Sequence, residues 1–259
     1  MDRRSHALPG LILALLAPAA LADGPTGEEI MRRADKDHRS KDERGVVEMI
    51  LKTESGEKQR RTLEMFTKTG QGEDDLNLLR FMEPATVRGT AVLTVEATGR
   101  ADDQWIYLPA LKKSKRIASG EKKQRFAGTD FTYEDLRTEN FSAFSYVQKG
   151  AAKVGDRDCW LVEAKPREGT ESGYSLRKIY VDKERFLVHK VEYYDPKGEL
   201  LKTLENKGFE QVKGLWRAKG AVMADVQRKT ETIWRFNERE IDPGLPESTF
   251  TVAQLERGL

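Results

Sequence analysis

From residue 42 onward, apolar and polar positions follow a period of two rather than the period near 3.6 of a helix. Val47, Met49 and Leu51 form one set and Glu48, Ile50 and Lys52 the other. Leu63 and Met65 likewise alternate with Thr62, Glu64 and Phe66. Successive side chains on a strand point to opposite faces, so this spacing predicts strands. Further strands are predicted over 76–81, 89–95, 104–108, 144–149, 158–165, 176–182, 187–194, 200–209, 216–223 and 229–237. Turn chemistry separates them: Gly56, Gly70-Gln71-Gly72, Pro84, Lys183-Glu184-Arg185, Tyr194-Asp195-Pro196-Lys197-Gly198 and Val212-Lys213-Gly214-Leu215. About ten short strands with no helix repeating between them predict an antiparallel sheet, hence a mainly β fold with a few α elements. A sheet of that size must curl, close or be covered to dispose of its edges.

Two segments break the pattern. Thr26-Gly27-Glu28-Glu29 has the T-x-x-E form of a capping box and predicts a helix over 27–39, with Ile30, Met31 and Ala34 on one side. Residues 112–143 read as a basic loop followed by one or two helical turns over 131–138. Elements this few fit lids on one concave face of the sheet.

The first 22 residues read as an export signal. Arg3 and Arg4 precede an apolar run from Leu8 to Leu16, and Ala20-Leu21-Ala22 is a small-x-small cleavage site. That run is shorter than the ~20 apolar residues a membrane span needs. Residues 23–259 contain no linker, repeat or low-complexity tract and are read as one exported domain. In an oxidising compartment the single cysteine, Cys159, is expected to be buried beside Trp160, Leu161 and Val162.

Composition narrows the function more by exclusion than by assignment. With 45 basic and 43 acidic residues among 259, the formal charge is +2, which excludes a strongly basic nucleic-acid binder. No Walker A loop, nucleophile elbow or dinucleotide fingerprint occurs. His38, His189 and Cys159 do not assemble by spacing into a zinc site or a nucleophilic triad. His189, in the middle of a predicted strand, reads as structural. Asp74-Asp75 and Asp102-Asp103 read as turn formers, because strand neighbours point to opposite faces. No cofactor, metal or catalytic residue is indicated, and the chemistry makes no positive case for an enzyme.

Two features remain. Between Lys112 and Arg125 stand seven basic residues opposed only by Glu121. This is either a solvated loop or a docking patch for anionic lipid or an acidic partner surface, each basic group near such a membrane contributing about 1 kcal/mol. Both faces of the early strands carry large flexible hydrophobes, including Met49, Met65, Phe66, Leu78, Leu79 and Phe81. Either a filled core or a curved sheet with an apolar cavity satisfies that pattern.

Three segments resemble a known family. Arg80-Phe81-Met82-Glu83-Pro84-Ala85-Thr86-Val87-Arg88-Gly89-Thr90 is similar to its RF-x-x-P-x-x-x-R-G-T segment. Asp103-Gln104-Trp105-Ile106-Tyr107-Leu108-Pro109-Ala110-Leu111 is similar to D-x-W-x-Y-L-P-A-L. Gly128-Thr129-Asp130-Phe131-Thr132-Tyr133-Glu134-Asp135 is similar to G-(S/T)-D-F-(T/S)-Y-E-D. The family is that of the periplasmic outer-membrane lipoprotein-sorting proteins, relatives of the LolA-type carriers. The resemblance implies a half-open, strongly curved antiparallel sheet covered by helices, whose apolar interior holds acyl chains of lipoproteins or lipids and moves them toward the outer membrane. It also implies lipidated cargo, an inner-membrane exporter of the resistance-nodulation-division type as partner, and peripheral contact with an anionic membrane. On that reading the lining is expected from Met49, Leu51, Leu63, Met65, Leu78, Leu93, Trp105 and Tyr107, and the docking rim from Lys112, Lys113, Lys115 and Arg116. A one-residue slip in strand parity inverts such a lining. The alternatives are a periplasmic lipid sensor or binding module without transport, and a hydrolase with polar residues clustered in its cavity.

Overall fold

The computed structural model describes residues 24–70 and 74–257; the signal assigned to residues 1–22 lies outside the described residues. Thirteen strands form one antiparallel sheet: β1 (Asp42–Lys52), β2 (Lys58–Thr69), β3 (Asp75–Glu83), β4 (Ala91–Val95), β5 (Asp103–Leu108), β6 (Lys113–Arg116), β7 (Phe144–Val154), β8 (Arg157–Pro166), β9 (Leu176–Asp182), β10 (Val188–Tyr194), β11 (Leu200–Val212), β12 (Leu215–Asp225) and β13 (Thr230–Ile241). Their spatial order is β6-β5-β4-β3-β2-β1-β13-β12-β11-β10-β9-β8-β7. Two meanders are thus joined back to back where β1 pairs with β13, Met49 opposite Trp234, with a bulge between Val46 and Val47. The sheet curves but does not close, leaving β6 and β7 as its edges.

Helix α1 (Gly27–Lys36) starts as its capping box predicts. The Glu29 amide donates to Thr26 Oγ1 at 3.2 Å, and the Thr26 amide donates to Glu29 Oε2 at 2.7 Å. It stops short of Arg39 because Asp37 caps it, its amide bonding the Arg33 carbonyl at 2.9 Å. Ile30 and Met31 turn into the sheet against β7, β8 and β9.

The long break between β6 and β7 crosses from one edge of the sheet to the other. Residues 117–143 form a strap of short 3-10 turns, at Ser119–Glu121, Phe126–Gly128 and Tyr133–Leu136, the last a single helical turn inside the 131–138 range expected to hold one or two. Thr132 and Asp135 explain the last turn: the Thr132 amide donates to Asp135 Oδ2 at 2.6 Å. Ala127 (φ 47°) and Gly128 (φ 75°) are both left-handed, so the chain reverses there and Phe126 and Phe131 bond back to back, the Phe126 amide to the Phe131 carbonyl.

A second cover, unforeseen from the local pattern, lies on the opposite face. The C-terminal segment ends in α2 (Val252–Arg257), and Phe250 and Leu255 pack on Phe66, Leu78 and Leu93. Arg80 ties it down by donating to the Gln254 and Leu255 carbonyls, both at 3.4 Å.

Candidate functional site: an interior occupied by the strap

Apolar side chains line much of the inner face of the sheet on both wings. Val47, Met49, Leu63, Leu79, Phe81 and Val92 line one wing, and Ile179, Val181, Val191, Tyr193, Met223 and Trp234 the other. The strap lays its rings between them. Phe126 stacks on Phe81 with centroids 5.3 Å apart and meets the edge of Tyr133 at 5.9 Å; Phe131 lies 4.6 Å from Trp234. Here the chain fills its own interior. The clefts beside the strap are polar: one of about 160 Å³ is bordered by Arg32, Asp74, Glu96, Asp102 and Arg137, and one of about 510 Å³ by Arg100, Lys122, Glu134, Arg137 and Asn140.

What holds the strap is mostly charge. Asp130 accepts from Thr230 Oγ1 at 2.5 Å and Thr232 Oγ1 at 2.7 Å, both on β13, and pairs with Arg125. Asp135 pairs with Lys202 of β11 at 2.5 Å and accepts from the Tyr174 hydroxyl at 2.8 Å. Glu134 accepts from Ser172 Oγ and the Gly173 amide, and Glu139 pairs with Arg177 of β9 at 2.7 Å. Four carboxylates of one segment therefore reach four different places on the sheet and its loops. From the opposite wing, Arg61 donates to the Ala127 carbonyl at 2.6 Å. No carboxylate is recorded as pairing with Arg61 among the described residues, and burial lowers its pKa.

These are expensive contacts to break. Lys202 is 2% exposed and Asp135 nearly as buried. Removing one partner of such a pair costs about 3–5 kcal/mol, because the other charge stays behind unpaired. Burial drives the Tyr174 hydroxyl well above its usual range and raises the Glu134 carboxyl. At the far end of the strap, Glu96 accepts from the Thr138 amide at 2.6 Å and from Thr138 Oγ1 at 2.5 Å. Burial pushes the Glu96 carboxyl up to about 7, and Asp75 beside it is also raised, chiefly by burial. Arg137 pairs with Asp102 at 3.0 Å next to this anchor.

The eight residues expected to line one cavity divide between two faces. Met49, Leu51, Leu63 and Met65 belong to the inner cluster, whereas Leu78, Leu93, Trp105 and Tyr107 lie on the outer face under the C-terminal cover. The physical reason is that β3 and β4 are buried on both faces. Leu78 and Leu79, like Val92 and Leu93, are all nearly inaccessible, so burial gives no parity signal, and the inner positions are Leu79, Phe81, Val92 and Ile106.

Of the basic rim, Lys112 occupies the turn between β5 and β6, and Lys113, Lys115 and Arg116 stand on the edge strand β6. Lys115 pairs with Glu121 and Arg116 with Asp103, while Lys112 and Lys113 show no ion pair among the described residues. Leu111 beside them is 64% exposed. Asp102 and Asp75, read as turn formers, are buried ion-pair partners of Arg137 and Arg39.

The remaining candidate chemistry is structural in its surroundings. Cys159 is inaccessible, and burial together with nearby Asp182 raises its thiol. His189 bonds Asp182 at 3.0 Å, and Asp182 also accepts from the Glu184 and Arg185 amides of the β9–β10 turn. Among the described residues no group of His, Cys, Asp and Glu is arranged to hold a metal ion, and no helix is long and apolar enough to cross a membrane.

Sequence reasoning missed the strap's carboxylates as pins and Lys202 as their counterpart. Their signal was present: the G-T-D-F-T-Y-E-D segment alternates acids with aromatics, and Lys202 interrupts an apolar strand start at Leu200-Leu201.

Comparison with known proteins supports the architecture. A family model described only as an uncharacterized protein matches residues 73–257. No curated protein matches. Among solved structures, a domain from Vibrio parahaemolyticus assigned as an outer membrane lipoprotein-sorting protein is 33% identical, with a TM-score of 0.85 over 89% of this chain and 98% of that one. A DUF1329 family protein from Desulfovibrio piger is 27% identical, with a TM-score of 0.84 over 88% of this chain and 97% of its own. A LolA superfamily protein from Nitrosomonas europaea shares the fold at 20% identity, with a TM-score of 0.70 over 88% of this chain and 98% of its own. With its curved antiparallel sheet and the match over almost the whole of the Vibrio domain, the chain belongs to the outer membrane lipoprotein-sorting protein family and shares its fold with the LolA superfamily protein.

Proposed function

We propose that this protein is a periplasmic carrier that takes up acyl chains of lipoproteins or lipids between the two wings of its sheet and moves them toward the outer membrane. The observation that carries this reading is the strap. Its aromatic rings fill an apolar interior, but they belong to a segment of short 3-10 turns, outside the sheet ladder, that is pinned largely through side-chain polar contacts. Such a segment can leave and be replaced by a ligand of equal greasiness, whereas a core built from the strands themselves cannot. Each alkyl CH₂ withdrawn from water is worth about 0.8 kcal/mol, so a chain that fills the space of Phe126 and Phe131 offsets their loss.

The rim completes the reading. Leu111, Lys112 and Lys113 project from the β5–β6 turn and β6, where a soluble carrier can dock on an anionic bilayer or an inner-membrane exporter to exchange cargo. Lining of the acyl site falls to Met49, Leu51, Leu63 and Met65, joined by Leu79 and Phe81.

The test is extraction without detergent followed by mass spectrometry of bound lipid, then transfer of a fluorescent acyl lipid between donor and acceptor vesicles. The expected result is co-purified lipid and accelerated transfer. Bound lipid without transfer would support a sensor or storage module instead, and neither bound lipid nor transfer would refute the carrier reading.

A further inference from the structure

The strap's place on the sheet defines what can replace it. On the inner face, Arg177 of β9, Tyr193 of β10 and Lys202 of β11 are directly opposed across the strands and form one row. Each cation in the row is matched to a carboxylate of the strap or its end, Lys202 to Asp135 and Arg177 to Glu139. Both hydrogen bonds recorded for Lys202 Nζ go to the strap: the Asp135 carboxylate at 2.5 Å and the Asp130 carbonyl at 3.0 Å. Its remaining neighbours are the faces of Tyr174 and Tyr193, centred 5.2 and 5.3 Å away. Asp225, opposite Lys202 on β12, accepts from the Arg228 amide through Oδ1 and forms no ion pair with Lys202 among the described residues.

When the strap lifts, Lys202 therefore remains as an unpaired ammonium in the floor of an apolar chamber, beside the Tyr174 hydroxyl that Asp135 also releases. An alkyl chain alone would leave that charge buried and unmet. We infer that the ligand is an anionic amphiphile, whose carboxylate or phosphate takes the place of the Asp135 carboxylate on Lys202 and Tyr174 while its alkyl chain takes the place of Phe126 and Phe131. The strap is then an internal mimic of the cargo, acid and hydrophobe on one chain. This inference rests on the carrier reading and names the chemistry of its cargo.

The experiment is calorimetric titration of the full exported chain with four probes sharing one tail, each below its micelle concentration: tetradecanoate, tetradecyl phosphate, tetradecanol and tetradecyltrimethylammonium. The acids are expected to bind at least about tenfold more tightly than the alcohol, the amount a charge-assisted hydrogen bond supplies, and the ammonium most weakly. The carboxylate and phosphate arms distinguish a fatty-acid source from a phospholipid source. Lys202→Met should bring the acid-to-alcohol ratio close to one while tetradecanol affinity is kept. Asp135→Asn removes the internal competitor and should strengthen acid binding more than alcohol binding. An acid-to-alcohol ratio near one in the unaltered protein, or one retained in Lys202→Met, overturns the inference and leaves the carrier reading intact. If Lys202→Met does not fold, an Asp135→Asn protein with an unchanged ratio overturns it equally. Failure of all four probes to bind overturns the carrier reading itself.

Discussion

Truncating Phe126 to alanine separates a strap that opens on its own from one that is merely part of the core. The ring is inaccessible to solvent and sits between Phe81 and Tyr133. Removing a phenyl group from such a site costs about 3–5 kcal/mol when the surroundings do not collapse into the space. That penalty falls on the docked state, which is the starting point of both strap opening and global unfolding, so both free energies decrease together. The distinguishing quantity is the area exposed. Strap opening uncovers a few rings and several hydrogen bonds; global unfolding uncovers the whole sheet, and the dependence on urea scales with that area.

Native-state hydrogen exchange reads both. The reporters are the strap amides with internal partners, Phe126 to the Phe131 carbonyl at 2.8 Å and Thr129 to the Phe126 carbonyl at 2.8 Å, set against ladder amides of β1 and β13. In the unaltered protein the strap amides should exchange at lower free energy and with a shallow urea slope. In Phe126→Ala their exchange should accelerate by about two to four decades, with the slope still shallow. If strap and sheet amides share one free energy and one steep slope, the strap is not an independent unit. A displaceable plug would then be ruled out, whatever the interior's composition.

Other consequences follow from named contacts. Burial holds the Glu96 carboxyl at about 7 against 4.5 in the unfolded chain, so the folded state keeps a proton that the unfolded chain gives up; its contribution is complete below pH 4.5 and fades as pH rises to about 7. Over that window the group accounts for about 3 kcal/mol, and Glu96→Gln should flatten the urea-denaturation profile by roughly that amount between about pH 5 and pH 8. Charge reversal of Lys112, Lys113, Lys115 and Arg116 to glutamate should abolish co-sedimentation with phosphatidylglycerol vesicles, since each basic group near an anionic surface is worth about 1 kcal/mol; unchanged sedimentation would dismiss the rim. Leu255→Ala should lower the unfolding free energy by about 2–5 kcal/mol, because its side chain is inaccessible beneath the outer cover, while leaving acyl binding on the inner face unchanged by calorimetry.

The strand pattern was legible wherever one face is wetter than the other. Thr62, Leu63 and Glu64, or Thr230 through Phe236, alternate because β2 and β13 show solvent on one side. Where the outer face is covered by a segment from far along the chain, alternation carries no information. Phe250 and Leu255 bury Leu78 and Leu93, and nothing local to β3 or β4 announces it. The strap was harder still. The basic residues just before it, Lys112 to Arg116, dominate the local charge, while the acids that anchor it find their partners up to 102 residues away, as Asp130 does at Thr232. A helix cap such as Thr26 with Glu29 is written within four residues; a buried ion pair such as Asp135 with Lys202 exists only after both meanders are in place.

The seam between β1 and β13 imposes an order on biogenesis. A polypeptide leaving a ribosome or a translocation channel N-terminus first can zip each meander from neighbouring hairpins, but Met49 must wait for Trp234, more than two thirds of the chain later. Non-local pairing of this kind is slow, because loop closure precedes any compensating contact. Until residues 230–241 emerge, β1 presents an unsatisfied edge in the centre of the future sheet, which invites pairing with other chains. The sooner the last strand arrives, the shorter the time for which that nascent edge stands open.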